Sequence, residues 1–167
     1  MDQIYLVKLY GKLVQNPIYN PTQKSIFAKV SLRWINHVSQ YKWYLGQNGY
    51  PFAYIKYQNQ TSRINLHRYI HWLQTAQWTN LYVDHINRDK LDSTDSNLRE
   101  ATPAQNSYNK THTNPNHNIK LNKSTSTYEV NICKNKINHK INNIQTLEEA
   151  KDIYKLMSEE LFGEFAS

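Results

Sequence analysis

With 167 residues, 39% of them hydrophobic, and a mean hydropathy of −0.79, the chain has room for one domain or two small ones around a modest core. It holds no run of about 18 apolar residues of the kind that crosses a membrane. The single Cys133 excludes an internal disulfide and a Cys-rich zinc knuckle. The start, MDQIYLVKLYG, lacks a basic stretch followed by a long apolar one, so a soluble, intracellular protein without a secretion signal is expected.

A net charge of +7 and a pI near 9.4 favour a polyanionic partner. The distribution is uneven. Residues 1–83 carry nine Lys/Arg and one acid (Asp2), 84–106 three bases and five acids, 107–140 six Lys and one Glu, and 141–167 two Lys and six acids. An acidic island between two basic stretches suits a metal site flanked by phosphate-binding surfaces. Gly is rare, at four residues, so several turns are expected to use Asn, which tolerates positive φ best among the other residues.

In chain order, the apolar pattern predicts strands at Ile4 to Leu9, Lys12 to Val14 and Ser25 to Val30. Leu32, Ile35 and Val38 are spaced for a short helix over 32–39. Trp43 to Leu45 and Phe52 to Tyr57 read as strands joined at Gln47-Asn48-Gly49, since Asn-Gly is the strongest short hairpin signal. Ile64 to Leu73 reads as a strand end running into a helix, with Leu66, Tyr69, Ile70 and Leu73 on one face. Leu81 to Asp84 is a short strand, 86–96 a polar loop, and Asn97 to Ala101 a second strand. Thr102-Pro103 opens a helix to about Lys110, with Thr as N-cap and Pro at the first helical position. A linker over 112–118 precedes three strands, Ile119 to Leu121, Thr127 to Ile132 and Ile137 to Ile141. Thr146 and Glu149 form a capping box for a last helix, whose apolar stripe is Ala150, Ile153, Tyr154, Met157 and Leu161, and Gly163 ends it. The class is α+β: a β-rich N-terminal module (1–63), a central unit (64–111), and a C-terminal three-stranded antiparallel sheet with one helix (119–167).

Val83 to Asn109, VDHINRDKLDSTDSNLREATPAQNSYN, is the most informative stretch. It places an Asp-His pair at a strand end, an Asn twelve residues after the His, and another Asn nine residues further on a short helix. His67 and His71, four apart, suggest a zinc pair, but Arg68 stands where a zinc-protease helix carries Glu and no third ligand is evident.

Val83-Asp84-His85, continued through Ile86-Asn87, Leu91-Asp92, Ser96-Asn97-Leu98-Arg99, Thr102-Pro103 and Gln105-Asn106-Ser107, resembles the strand-strand-helix metal finger of HNH nucleases, in particular the phage and mobile-intron homing endonucleases. The resemblance implies that Asp84 and Asn106 bind one divalent metal and that His85 is the general base. It also implies that Asn97 holds the loop after His85 and orients its imidazole. Oxygen ligands favour Mg²⁺ or Mn²⁺. A neutral imidazole with an ordinary pKa near 6.5 suits a base at pH 7. Arg99 and Lys110 are secondary candidates for phosphate contact, Asn109 for phosphate contact or for assisting the metal, and Arg68, in Leu66-His67-Arg68, for DNA contact. His67 is expected to be packed or hydrogen-bonded beneath the active site.

Tyr41 to Leu45 with Asn48-Gly49-Tyr50 resembles the N-terminal module of the same nucleases, whose usual acidic segment before the helix is replaced here by Lys29 to Arg33. Trp34, Trp43, Tyr44, Tyr50 and Tyr54 offer rings that could stack on bases or sugars, and most of them are expected in the core. Asn118 to Ala166 resembles the APETALA-type DNA-binding domain through Tyr128-Glu129-Val130, Ile137 to Ile141, Thr146 to Ala150, Tyr154 and Phe162 to Ala166. That likeness implies an outward sheet face with Lys120, Lys134, Lys136 and Tyr128 toward double-stranded DNA. Lys in place of Arg favours backbone anchoring over base reading. Together these imply a monomeric, metal-dependent DNA endonuclease or nickase. The alternatives are a repressor-like DNA-binding protein with a silent site, an RNA-binding protein, and a structural module.

Overall fold

The computed structural model describes residues 3–10, 25–57, 59–110, 114 and 116–166. The strand expected at Lys12 to Val14 and positions 112, 113 and 115 of the linker lie outside them. The chain divides into two compact units, Met1–Thr102 and Pro103–Ser167.

In the first unit, β1 (Ile4–Leu9) and β2 (Ile26–Ser31) are antiparallel, with Val7 opposite Ala28. Alternation sends Val7, Leu9, Ala28 and Val30 inward. After β2 comes one 3-10 turn (Leu32–Trp34) and a single helical turn, α1 (Ile35–Val38). Strands β3 (Tyr44–Leu45), β4 (Pro51–Tyr57) and β5 (Gln60–Asn65) form a second antiparallel sheet in that order. Gly49, at φ 81°, supplies the left-handed residue of the turn into β4. The alternation signal had not reached β5, because Gln60 to Arg63 are polar and exposed; pairing with β4, and not burial, makes them a strand.

Helix α2 (Leu66–Thr75) follows with Leu66 and Ile70 wholly buried, and ends at Ala76 in the left-handed region. Its apolar face meets Trp43, Val38, Val30, Ala53 and Val83 in one core. Trp43 is 1% exposed and its indole N–H donates to the Val38 carbonyl at 2.8 Å, which satisfies the ring's one polar atom. Two short strands complete the unit, β6 (Tyr82–His85) and β8 (Leu98–Ala101), antiparallel with Asp84 opposite Arg99. Between them, β7 (Asp92–Ser93) joins β2 in parallel as a third strand. The loop expected over 86–96 is therefore tied into the N-terminal sheet at its midpoint.

The second unit holds α3 (Pro103–Tyr108), strands β9 (Ile119–Asn122), β10 (Thr127–Lys134) and β11 (Ile137–Ile144), and α4 (Leu147–Phe162). The sheet is antiparallel with β10 in the centre. Thr146 Oγ1 accepts from the Glu149 amide at 3.1 Å, the expected N-cap. Val130, Ile132, Ile144 and Ala150 form the core, with Tyr128, Ile153, Tyr154 and Met157 around it. The Asn135-Lys136 turn has both residues at positive φ (53° and 66°), the conformation that matches strand twist in a two-residue hairpin. Asn59, Asn118, Asn135 and Asn143 all stand at positive φ, in roles often filled by Gly. No helix among the described residues is long and apolar enough to cross a membrane.

Candidate active site

Val83, Asp84 and His85 are consecutive and all buried, so the last three residues of β6 are enclosed on both faces. Asp84 is 7% and His85 4% exposed. Two groups of this polarity need compensation when taken from water. Asp84 receives it from Arg99, whose Nε and Nη2 both donate to Oδ2 at 3.1 Å from the facing position of β8. Arg99, expected at a phosphate, is thus engaged with the carboxylate itself. The cause is register: Asp84 and Arg99 are directly opposite, on one side of a two-stranded sheet.

His85 packs in a layer of rings. Its centroid lies 4.9 Å from that of His67 and 5.8 Å from that of Tyr50, and Tyr50 is 5.0 Å from His67. Burial pushes the His85 pKa below the ordinary histidine value; Asp84, Asp89 and Asp92 oppose that shift and Lys90 adds to it. The imidazole is neutral at pH 7. His67 is held lower still, at about 3, by burial and then by His85 and Arg68. Its Nδ1 is buried without a hydrogen-bond partner among the described residues. Tyr50 is pushed above its ordinary value by burial and by Asp84.

The state of His67 makes acid stability testable. Its folded pKa is below the unfolded one, so the folded state binds this proton more weakly. The stability it confers is fully present above pH 6.5 and is lost as pH falls through the folded value near 3. His67 alone should remove about 2 kcal/mol between pH 7 and pH 5. Urea denaturation at the two pH values should show that loss in the native chain, and a correspondingly shallower one in His67→Phe. Equal pH slopes would contradict a buried neutral His67.

The loop after His85 is closed by Asn97. Its Oδ1 accepts from the Asn87 amide at 2.9 Å, and its Nδ2 donates to Asn87 Oδ1 at 2.9 Å and to the Asp92 carbonyl at 2.7 Å. The Ile86 amide donates to the Asn97 carbonyl at 2.9 Å. Asn97 therefore grips the loop, and these contacts reach the imidazole through the main chain at Ile86 and Asn87. Asn87 Nδ2 also donates to Asp92 Oδ2 at 3.0 Å, while Asp92 Oδ1 accepts from the Thr94 hydroxyl at 2.7 Å.

The basic segment Lys29 to Arg33 takes up the acids of this loop. Lys29 lies 3.8 Å from Asp92 and 3.9 Å from Asp89, and Arg33 pairs with Asp95. Asp95 also accepts from Trp34 Nε1 and Gln74 Nε2, each at 2.7 Å. Asp92 and Asp95 are thus framework residues, invisible as such in a run of polar loop residues. Sequence reasoning also missed Tyr50 as part of the ring layer. Its only signal was its place beside Asn48-Gly49, in the turn that lies against the loop: Lys90 Nζ donates to the Asn48 carbonyl at 3.1 Å and sits 4.8 Å over the Tyr50 ring.

The other expected site residues are distributed as follows. Arg68 donates to the Thr79 carbonyl at 2.6 Å and the Leu81 carbonyl at 3.0 Å, fastening the approach to β6. His71 is buried, 3.6 Å from Glu100, and among the described residues no three or more His, Cys, Asp or Glu gather as a metal cluster. In the second unit, Asn106 is half-buried on α3, Asn109 is 5% exposed, and Lys110 is exposed. Lys120 is exposed on β9 opposite Glu129, and Lys136 is exposed in the β10–β11 turn. Lys134 and Tyr128 were expected on the outward sheet face. The pleat places both on the side of Val130 and Ile132, where Lys134 donates to the Leu161 carbonyl at the end of α4. The opposite side carries Lys120, Glu129, Asn131 and Lys140, with Lys140 paired to Glu129 at 2.9 Å.

Over 146 residues the chain is 47% identical to a protein of Acanthamoeba polyphaga mimivirus described as an uncharacterized HNH endonuclease; the match covers 86% of this chain and 75% of that one. No family model and no solved structure matches the chain. The buried Asp84-His85 pair, the Asn97-clasped loop and this degree of identity lead to one conclusion: the chain belongs to the HNH endonuclease family.

Proposed function

We propose that the chain is a metal-dependent DNA endonuclease that hydrolyses phosphodiester bonds at Asp84 and His85, as a site-directed homing nuclease or nickase. The observation that carries this reading is a buried carboxylate beside a buried, neutral imidazole at the end of one strand, with the following loop clasped by Asn97. The mimiviral relative, described as an HNH endonuclease, supports it. His85 takes the proton from a water placed in line with the leaving 3′ oxygen. Asn97 holds the His85 loop against displacement, and His67 and Tyr50 pack against the imidazole ring.

Asp84 and Asn106 are the proposed metal ligands, Asn106 on the family resemblance alone. A carboxylate and an amide suit Mg²⁺ or Mn²⁺, which bind through one or two carboxylates together with substrate phosphate. Such an ion supplies positive charge to the scissile phosphate and the departing oxygen. Residues 64–111 are the nuclease module in this reading. Residues 1–63 and 119–167, the second joined through the linker at 112–118, grip double-stranded DNA, with Arg68, Asn109, Lys110, Lys120 and Lys136 among the contacts. One site on a monomer nicks one strand.

Nicking of supercoiled plasmid should require Mg²⁺ or Mn²⁺, stop in EDTA, and fall by about 10²–10³-fold in Asp84→Ala. Metal-independent nicking, or full activity in Asp84→Ala, would refute the metal assignment. The Arg99 guanidinium on Asp84 favours a second reading, a repressor-like DNA-binding protein with a silent nuclease site. That reading requires salt-sensitive DNA binding with no nicking in any metal.

A further inference from the structure

The outer face of the β3–β4–β5 sheet lies outside the Asp84–His85 site, and its composition is unlike the rest of the surface. Alternation along the strands sends Ala53 and Ile55 into the core and leaves Tyr44, Phe52, Tyr54, Lys56 and Arg63 on the other side. The register sets Tyr44 opposite Phe52 and Tyr54 opposite Arg63. The rings form a continuous row: Tyr44 to Phe52 5.8 Å, Phe52 to Tyr54 5.7 Å. Tyr10 extends it beyond β3, its ring 6.2 Å from Tyr44 and its main chain bonded to Trp43 and Leu45. Tyr54 is 51% and Tyr10 43% exposed. Aromatic rings so displayed have not been spent on the core.

Cations are layered on the row. Lys42 Nζ lies 4.3 Å from the Tyr10 centroid and 5.7 Å from that of Tyr44, and the Arg63 guanidinium is 3.9 Å from Phe52. Among the described residues no ion pair joins Lys42 or Arg63 to a carboxylate, and from residue 3 to residue 83 the chain contains no Asp or Glu. A groove continues from Arg63 past Asn48 and Asn65 to Arg68 and Trp78. Trp78 is 52% exposed and stacked on Trp72 at 5.6 Å and 15°. Arg68 there holds the carbonyls of Thr79 and Leu81, just before β6. At the other side of the sheet, the turn after β3 brings Tyr50 against His85. The groove therefore leads from Arg63 on this face to the residues just before β6.

Uniform positive charge selects a polyanion. Exposed ring faces select among polyanions. A duplex keeps its base faces stacked inside and offers edges and phosphates, whereas unpaired nucleotides present π-faces to rings and guanidinium planes. Ring rows with interleaved cations are the physical means of holding a single strand without sequence preference. We propose that the outer face of β3–β4–β5 binds a run of unpaired nucleotides of the DNA beside the cleavage site, so that the preferred substrate of the endonuclease proposed above is a duplex next to a single-stranded segment.

Fluorescence anisotropy with the full chain in EDTA, where metal-dependent cleavage does not intervene, compares a blunt duplex with the same duplex carrying a tail of about ten thymidines. The tailed duplex should bind at least about tenfold more tightly. Tyr54→Ala should remove most of that ratio, Tyr54→Phe should retain it, and Lys42→Ala should flatten the salt dependence of tail binding. No preference for the tail, or a preference intact in Tyr54→Ala with unchanged circular dichroism, would overturn the inference. Plasmid nicking in Mg²⁺ on the same preparation separates the two readings. Nicking without a tail preference removes the single-strand face alone. A Tyr54-dependent tail preference without nicking removes the hydrolytic function alone.

Discussion

Arg99→Met should cost about 3–5 kcal/mol of folding stability, the penalty for stripping one partner from a buried ion pair. Asp84 and Arg99 are both enclosed, with side chains 9% and 10% exposed, and the guanidinium bonds one carboxylate oxygen through two nitrogens. Removing it leaves negative charge in a site that water does not fully reach. The double variant Asp84→Asn/Arg99→Met should recover a large part of the loss, because it removes the charge as well as its partner. Divalent metal should raise the unfolding midpoint of Arg99→Met by more than it raises that of the native chain, since a cation beside Asp84 replaces the missing positive charge and binds only the folded state. Denaturation curves of the three proteins, with and without Mg²⁺, test all of this. A single variant as stable as the native chain would contradict the buried pair, and a metal response lost with Arg99 would contradict Asp84 as a ligand.

Asn97→Ala should lower stability by about 2–4 kcal/mol and slow nicking by about 10²-fold. Both of its amide groups are used: Oδ1 by the Asn87 amide, Nδ2 by Asn87 Oδ1 and the Asp92 carbonyl. Alanine takes one bond from each of these loop groups in a place where Asn97 itself is 7% exposed. The kinetic loss follows from geometry, because the loop begins at the residue after His85 and small displacements of the proposed base are costly. Asn97→Asp keeps the acceptor and loses both donated bonds, so it should fall between the two. Thermal unfolding and nicking rates of the three proteins check the order. An alanine variant with native stability and native rate would show that Asn97 does not hold the loop.

The strands and helices with regular apolar spacing were legible from residues alone. Thr146 and Glu149 marked the start of α4, and Asn48-Gly49 marked the hairpin between β3 and β4. Alternation failed at β5, whose exposed polar residues become a strand only through β4. It failed again at β7, two residues that pair in parallel with a strand some sixty positions earlier. The Asp-His-Asn pattern marked the candidate site, and the side-chain wiring around it was not legible. Lys29 and Arg33 are surface cations in sequence terms. Only the parallel pairing of β2 with β7 brings them to Asp89, Asp92 and Asp95. The face of Lys134 was a question of strand parity, and counting from Val130 and Ile132 answers it. Tyr44 and Tyr54, expected in the core with Trp43, lie instead on the outer side of their sheet, because each pairs on the face opposite Ala53 and Ile55.

The central claim is that His85 is the base in a DNA-cutting site. The most direct measurement is conversion of supercoiled plasmid to open circle in Mg²⁺ or Mn²⁺ by the native chain and by His85→Ala, at matched circular dichroism and matched DNA binding. The native chain should nick the plasmid, and the rate should drop by about 10²–10⁴-fold in the variant. Equal rates in the two proteins, or no conversion by either while both bind DNA, would contradict it.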